Sequence, residues 1–433
     1  MPVVGIIAEY NPLHRGHEYH IEQARKLTDA SACVCVLSSN FVQRGEPAII
    51  NKWARAKMAL QQGADLVIEL PSAFSCASAE YFASCAVQLL GALDCVDYLC
   101  FGSEEGQIET FEKAAALLAN ESEEFKYLLK QGLDKGLSFA AAREKAAQIV
   151  LSAARQGEDF RSDALGGSSS GPLLNMPNNI LGIEYMKAIK RAGCPIKPLT
   201  IKRIGQGYKS ALRAHSLSSA TAIRSHISNE PPGNIRSDSF LINNLSPASL
   251  EILLEEFDQG RGPIFPEAFE NIFLHLVRSA PKKALASLPY MGEGLENRLK
   301  DAAIKSTSLK ELVTSAVTSR YPASRIKRIL CALLTGLTAE LLDTLKNNGY
   351  AQYIRILGFN DRGRSLLSGL RKKAQLPVIT KPADGFKLKN PHGVSLFEHE
   401  IRATDSYVLG CPSARARKGG LELTTSPIYW KAD

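Results

Sequence analysis

The stretch that most constrains this chain is Gly5-Ile-Ile-Ala-Glu-Tyr-Asn-Pro-Leu-His14-Arg-Gly16-His17. The apolar run Val3, Val4, Ile6 and Ile7 reads as a buried strand, which breaks at Asn11-Pro12, and residues 17–26 favour a helix. Two histidines and a glycine therefore fall where the C-terminal end of a strand passes into a helix. In an open α/β sheet ligands bind along that edge. A helix N-terminus also offers unpaired N–H groups and a positive dipole end to an anion. His14 and His17 are three residues apart and share one face of a first turn. Gly16 carries no side chain to keep a base or phosphate off the backbone.

The same grammar repeats downstream. Residues 32–37 read as a second buried strand, followed by a polar loop over 41–47 that carries Arg44. A helix over 53–63, a strand over 65–70 stopped by Pro71, a helix over 80–93 and a strand over 98–101 follow. After a largely helical stretch (105–155) come a helix over 177–193 and a strand over 196–204 carrying Lys202 and Arg203. Strands and helices alternating through short links predict βαβ units in an α/β, doubly wound parallel sheet. The loops at Asn11, Asn40, Pro71 and Gly102 should gather along one edge of it. The Gly/Ser-rich stretch 164–172 lacks Gly-Lys-Ser/Thr, so it is not a P-loop, and it reads as a lid-like or mobile loop. Asn229-Glu-Pro-Pro-Gly233 marks a boundary. It separates an expected catalytic domain (1–230) from a mostly α-helical, basic C-terminal part (231–433).

Charge separates the two ends of the chain. Residues 1–130 hold 10 Lys and Arg against 17 Asp and Glu, whereas residues 131–433 hold 42 against 27. The segment 319–373 alone carries 11 basic and 3 acidic residues, with Tyr321, Tyr350, Tyr353 and Phe359 between them. Cations grip phosphates and aromatic rings stack on unpaired bases, so a nucleic-acid partner is expected there. Its candidate contacts are Arg320, Arg325, Lys327, Arg328, Arg355, Arg371 and Lys372. In the helix beginning near 323 the basic residues sit at the N-terminal end, where they oppose the dipole. Compensation must come from outside, from phosphates or from a nearby acidic residue. The nine cysteines include no Cys-x-x-Cys pair and sit in apolar surroundings, which predicts buried free thiols and no metal site. No apolar run approaches the roughly 18 residues of a membrane span, so a cytoplasmic protein with no membrane or protein partner is expected.

The His-x-Gly-His arrangement resembles the signature of the HIGH-motif nucleotidyltransferase superfamily, whose imidazoles bind ATP phosphates and stabilise charge during adenylyl transfer. Ser218-Ser219-Ala-Thr221-Ala-Ile-Arg224 resembles the second phosphate-binding motif of that superfamily. Further stretches extend the likeness along nearly the whole chain: 39–47, 63–71, Phe101-Gly-Ser-Glu104, Asn178-Asn-Ile-Leu-Gly182, 201–204 and 353–364. Together they resemble the tRNA(Met) cytidine acetate ligase family. That resemblance implies an enzyme that activates acetate with ATP as acetyl-adenylate. The enzyme then acetylates N4 of the wobble cytidine of elongator tRNA(Met), releasing AMP and diphosphate, with Mg²⁺ carried by the ATP. It also implies ATP-binding positions at Ile7, Ala8, Glu9, Tyr10, Asn11, Pro12, Leu13, His14, Arg15, Gly16, His17, Glu18, Tyr19 and His20. Gly102, Asn178 and Arg203 complete that set. His14 and His17 are the expected catalytic donors, and Ser218, Ser219, Thr221 and Arg224 the expected phosphate grip. Asn51 stands where the family pattern has Asp, so no metal-binding carboxylate is expected there. Two rivals explain fewer of these features: an enzyme adenylylating a small phosphorylated metabolite, and a non-catalytic RNA-binding protein.

Overall fold

The computed structural model describes residues 1–104, 106–119, 121–137, 139–156, 176–203, 218–230, 232–292 and 294–431. The stretch 164–172 lies outside the described residues. The strands β1 (Val3–Ala8), β2 (Ala32–Ser38), β3 (Leu66–Leu70), β4 (Tyr98–Ser103) and β5 (Lys197–Lys202) form where the apolar runs predict them. They lie in the order β3-β2-β1-β4-β5, with every neighbouring pair parallel.

Alternate residues of these runs face opposite sides of the sheet, and both sides are covered. Val3, Val34, Val36, Ile68 and Leu99 enter one core, while Val4, Ile6, Cys33, Cys35 and Val67 enter the other. With neither face in water the strands read as unbroken apolar runs rather than as alternating ones. Each fully buried Val or Leu is worth roughly 1.5–3 kcal/mol. The helices α1 (Arg15–Thr28) and α2 (Lys52–Gln61) close the second face. The first is closed by α3 (Ala79–Ala92) and α4 (Pro177–Ala192).

The stretch 353–364 departs from its expected place in the basic region. Its core is a strand, β6 (Ile354–Phe359), which pairs antiparallel with β3. Two short strands, β7 (Val378–Ile379) and β8 (Ile428–Tyr429), pair with β6 in parallel and complete an eight-stranded sheet. The sheet thus draws on both sides of residue 230. The rest of the C-terminal part is mostly helical, as expected. Just before the boundary comes α5 (Ala220–Asn229), and the C-terminal part itself includes α6 (Ala323–Thr335) and α7 (Pro391–Val408). Phe269, Leu299, Leu312, Ile326 and Ile329 build a third core among its helices.

A buried ionic cluster ties the two ends of the chain together. Lys52, the first residue of α2, reaches Glu69 on β3, Glu400 on α7 at 3.0 Å and Glu422 at 2.6 Å, all with no exposed side-chain surface. Arg355 on β6 adds a contact to Glu422 at 3.2 Å. No helix among the described residues is long and apolar enough to cross a membrane.

Candidate active site

The ends of β1, β4 and β5 and the starts of α1, α4 and α5 enclose a cavity of about 690 Å³. Its floor is the turn from β1 into α1. Tyr10 holds a left-handed backbone conformation (φ +46°) that bulky residues seldom adopt. Its ring is buried edge-on against His17, centroids 5.0 Å apart.

His14 caps α1. Its Nδ1 accepts the Gly16 N–H at 3.0 Å, while His17 Nδ1 accepts the His14 N–H at 3.3 Å. The two rings stack with centroids 3.8 Å apart. Because each Nδ1 accepts, the neutral rings carry their protons on Nε2. Neither Nε2 holds a partner among the described residues, so both are donors ready for a ligand. Burial, helped by the Arg203 charge, pushes His14 down to about 4. Burial, the His14 ring and the Arg203 and His20 charges hold His17 well below its ordinary value. The pair is therefore neutral near pH 7. A β-carbon on Gly16 would lie 2.9 Å from His14 Cε1, so this ring position requires glycine at 16.

The opposite wall is built from residues far off in sequence. Arg203 follows β5, and its N–H donates to Ser103 O at 2.8 Å. Its stem lies over Gly102, where a β-carbon would come within 3.3 Å of Cγ. Asn178, in the first turn of α4, donates to Glu104 Oε1 at 2.7 Å. Ser219 spends its hydroxyl capping α5, accepting the Ala222 N–H at 3.2 Å. Arg224 donates to Asn11 O at 2.7 Å and so ties α5 to the β1 turn.

Most of the expected positions meet in this cavity. Ile7, Ala8, Glu9, Tyr10, Asn11, His14, Gly16, His17, Tyr19 and His20 line it, as do Gly102, Asn178, Arg203, Ser218, Ser219, Thr221 and Arg224. Pro12, Leu13, Arg15 and Glu18 do not. Leu13 is wholly buried in the core, and Arg15 turns outward to donate to Asn243 O at 3.0 Å. Sequence reasoning missed Glu46, Phe82, Glu104 and Tyr185 as lining residues. Phe82 and Tyr185 sit on amphipathic helices where their spacing reads simply as core. Arg44 could have been found, because it stands in a polar loop just after a strand.

The basic region is differently used from the expectation. Arg355 is 2% exposed and paired with Glu422, so its guanidinium is not available to a nucleic-acid phosphate. Lys327 pairs with Glu46 at 2.6 Å, which is the acidic compensation for the start of α6. Arg325 donates to Tyr290 O at 2.7 Å and lies over Tyr321, and Arg328 lies over Tyr290. Arg320 is exposed, and the side chains of Arg371 and Lys372 lie outside the described residues. Asn51 caps α2 and donates to Glu256 at 2.7 Å, well occupied by structure. Among the described residues one group, His226, Glu230 and Asp238, has ligand atoms spaced for a metal. It does not line the cavity.

Comparison with known proteins gives a consistent match. The family described as HIGH Nucleotidyl Transferase matches residues 1–421. A tRNA(Met) cytidine acetate ligase of Acetivibrio thermocellus is 44% identical over 99% of this chain and 100% of its own. A protein of the same description from Alkaliphilus metalliredigens is 39% identical over 100% and 99%. The crystal structure of Thermotoga maritima TmcAL bound with alpha-thio ATP superposes with a TM-score of 0.87 at 33% identity, covering 100% of both chains.

Proposed function

The chain belongs to the HIGH nucleotidyl transferase family, among its tRNA(Met) cytidine acetate ligases, and from that premise we propose how its residues carry the reaction. It is an ATP-dependent ligase that acetylates a cytidine of tRNA(Met). The observation that carries the mechanism is the stacked, neutral His14–His17 pair with two Nε2–H donors at a helix start.

In the first step an acetate oxygen attacks the α-phosphorus of ATP, the bond to pyrophosphate breaks, and acetyl-adenylate forms. No enzyme nucleophile is needed, so catalysis comes from positioning and from donors aimed at developing charge. His14 and His17 supply those donors as neutral groups. Each can donate its Nε2–H to the phosphoryl oxygens as their charge grows, with Nδ1 still held by the backbone. Arg203 and the α5 start, with Ser218, Thr221 and Arg224, hold the other phosphates. Magnesium would arrive with the triphosphate and draw charge from it. Glu104, whose Oε2 is buried without a hydrogen-bond partner, is the cavity carboxylate suited to it.

In the second step N4 of the wobble cytidine of elongator tRNA(Met) attacks the acetyl carbon, and AMP leaves. An anticodon base is unpaired, so turning it into the cavity costs little. Arg320 and Arg44, both exposed, are cations among the described residues that can meet the tRNA backbone. Substrates of this kind place the work in the cytoplasm.

The protein incubated with labelled acetate, ATP and tRNA should move label into RNA and release one AMP per acetyl group. Label confined to a small adenylylated metabolite would overturn this reading.

A further inference from the structure

Glu9 is out of place in a cavity built for a triphosphate. It is half-buried at the end of β1 and lines the cavity beside the histidine turn. A carboxylate there repels phosphate, and it has no ion pair among the described residues to neutralise it. No arginine around it hydrogen-bonds the carboxylate directly among the described residues. Arg55 donates to the backbone carbonyls of Glu9, Ser39 and Ile50, and Arg224 donates to Asn11 O. The carboxyl is nonetheless held firmly, because its Oε1 accepts the Gln43 N–H at 2.9 Å. Its Oε2 has no hydrogen bond among the described residues.

The loop that grips Glu9 is also the seat of the basic helix. Lys327 pairs with Glu46, and Arg328 donates to Gln43 O at 3.3 Å. Gly45 (φ +78°) is packed so closely under α6 that a β-carbon would lie 2.4 Å from Arg328 N. Arg44, at the tip of that loop, is exposed. Glu9 therefore sits on the side of the cavity nearest the cationic face of the C-terminal part, where a polynucleotide would enter. Tyr185 and Phe101, buried with ring centroids 5.8 Å apart, contribute apolar atoms to the wall of that cavity.

Resting on the reading above, we infer that Glu9 forms the cytosine subsite, accepting a hydrogen bond from N4 and then its proton. A carboxylate is the side chain that recognises the amino edge of cytosine. That amine is a poor nucleophile until its proton has an acceptor. As N4 attacks the acetyl carbon, the C–N bond forms and the C–O bond to AMP breaks. AMP departs with the bridging oxygen, and one N4 proton passes to Glu9 Oε2 and from there to solvent. Burial raises the affinity of Glu9 for that proton, against the Gln43 N–H and the charges of Arg224, Arg55 and Arg44, which lower it. Tyr185 also faces Glu9, with its own hydroxyl held neutral by burial and the nearby carboxylate.

Two half-reactions separate this role from ATP binding. Acetate-dependent ATP–pyrophosphate exchange reads adenylation, and single-turnover transfer from added acetyl-adenylate to tRNA reads the second step. Glu9→Gln should lower the ratio of transfer to exchange by about 10²-fold or more, the usual worth of a general base. Transfer by the unsubstituted enzyme should fall toward acidic pH as the carboxylate protonates, and in Glu9→Gln that fall should vanish. Equal loss of both half-reactions would assign Glu9 to ATP or its metal, and an unchanged ratio would remove it from the chemistry; either overturns the inference. Should Glu9→Gln fail to fold, the pH profile of the unsubstituted enzyme decides, and a flat profile overturns it. An unsubstituted enzyme with no acetate-dependent exchange would instead refute the proposed function.

Discussion

At the scale of single residues, the site depends on which nitrogen of each imidazole is engaged. Both Nδ1 atoms are committed to backbone N–H groups, and that commitment directs the Nε2 protons to the ligand. Gly16 guards this arrangement. In Gly16→Ala the new methyl group would meet His14 Cε1 at 2.9 Å and Nδ1 at 3.1 Å, so the ring must turn and give up its bond to residue 16. The same change lies in the first turn of α1, where Ala is favoured over Gly by about 1 kcal/mol. Exchange should therefore drop at least tenfold while the urea midpoint stays level or rises. Loss of stability with activity intact would contradict the cap geometry. The His-x-Gly-His spacing made this part legible in the sequence. The tautomers were not, because they depend on backbone groups placed only when the helix forms.

At the scale of elements, α7 shows why the C-terminal helices were harder to read. Its spacing predicts a helix, but nothing local says that His399 and Glu400 face inward. His399 is fully buried, with Nε2 3.3 Å from Thr335 Oγ1. Burial pushes it down to about 4, the Glu400 charge raising it and Arg402 lowering it further. The folded state thus resists a proton that the unfolded chain accepts near 6.5. This contribution is complete above pH 6.5 and is lost as the pH falls toward 4, amounting to about 3 kcal/mol at the acidic end. Urea unfolding between pH 7 and 5 should show a shallower loss of stability in His399→Gln than in the unsubstituted protein. Identical slopes would contradict a buried neutral His399. Glu400 behaves differently although it is equally buried. Burial raises it, but the Lys52 ammonium and the Ser39 hydroxyl outweigh that and hold it at about 2.

At the scale of the whole molecule, the ionic cluster joins the sheet to segments more than three hundred residues away. Lys52 answers carboxylates from β3, from α7 and from Glu422 near the end of the chain. Ser72 N–H adds a bond to Glu400 at 2.7 Å, and Thr404 one to Glu422 at 2.9 Å. Lys52→Met would leave Glu69 and Glu400 buried without their cation and Glu422 with Arg355 alone, a change that typically costs about 3–5 kcal/mol. A loss below about 1 kcal/mol in urea unfolding would show the cluster to be dispensable. The first five strands were legible because both faces of a parallel sheet demand unbroken apolar runs. Strand β6 was not, since Arg355, its second residue, made an apolar run look like part of a basic surface. Charge composition records that an arginine is present but not that Glu422 waits for it in the interior.

All of these scales rest on the claim that the His14–His17 pair supplies the donors for adenylation. Acetate-dependent ATP–pyrophosphate exchange by His17→Ala tests it most directly. The account predicts a rate at least ~10²-fold below that of the unsubstituted enzyme, in a protein that still folds. Exchange within about threefold of the unsubstituted rate would contradict it.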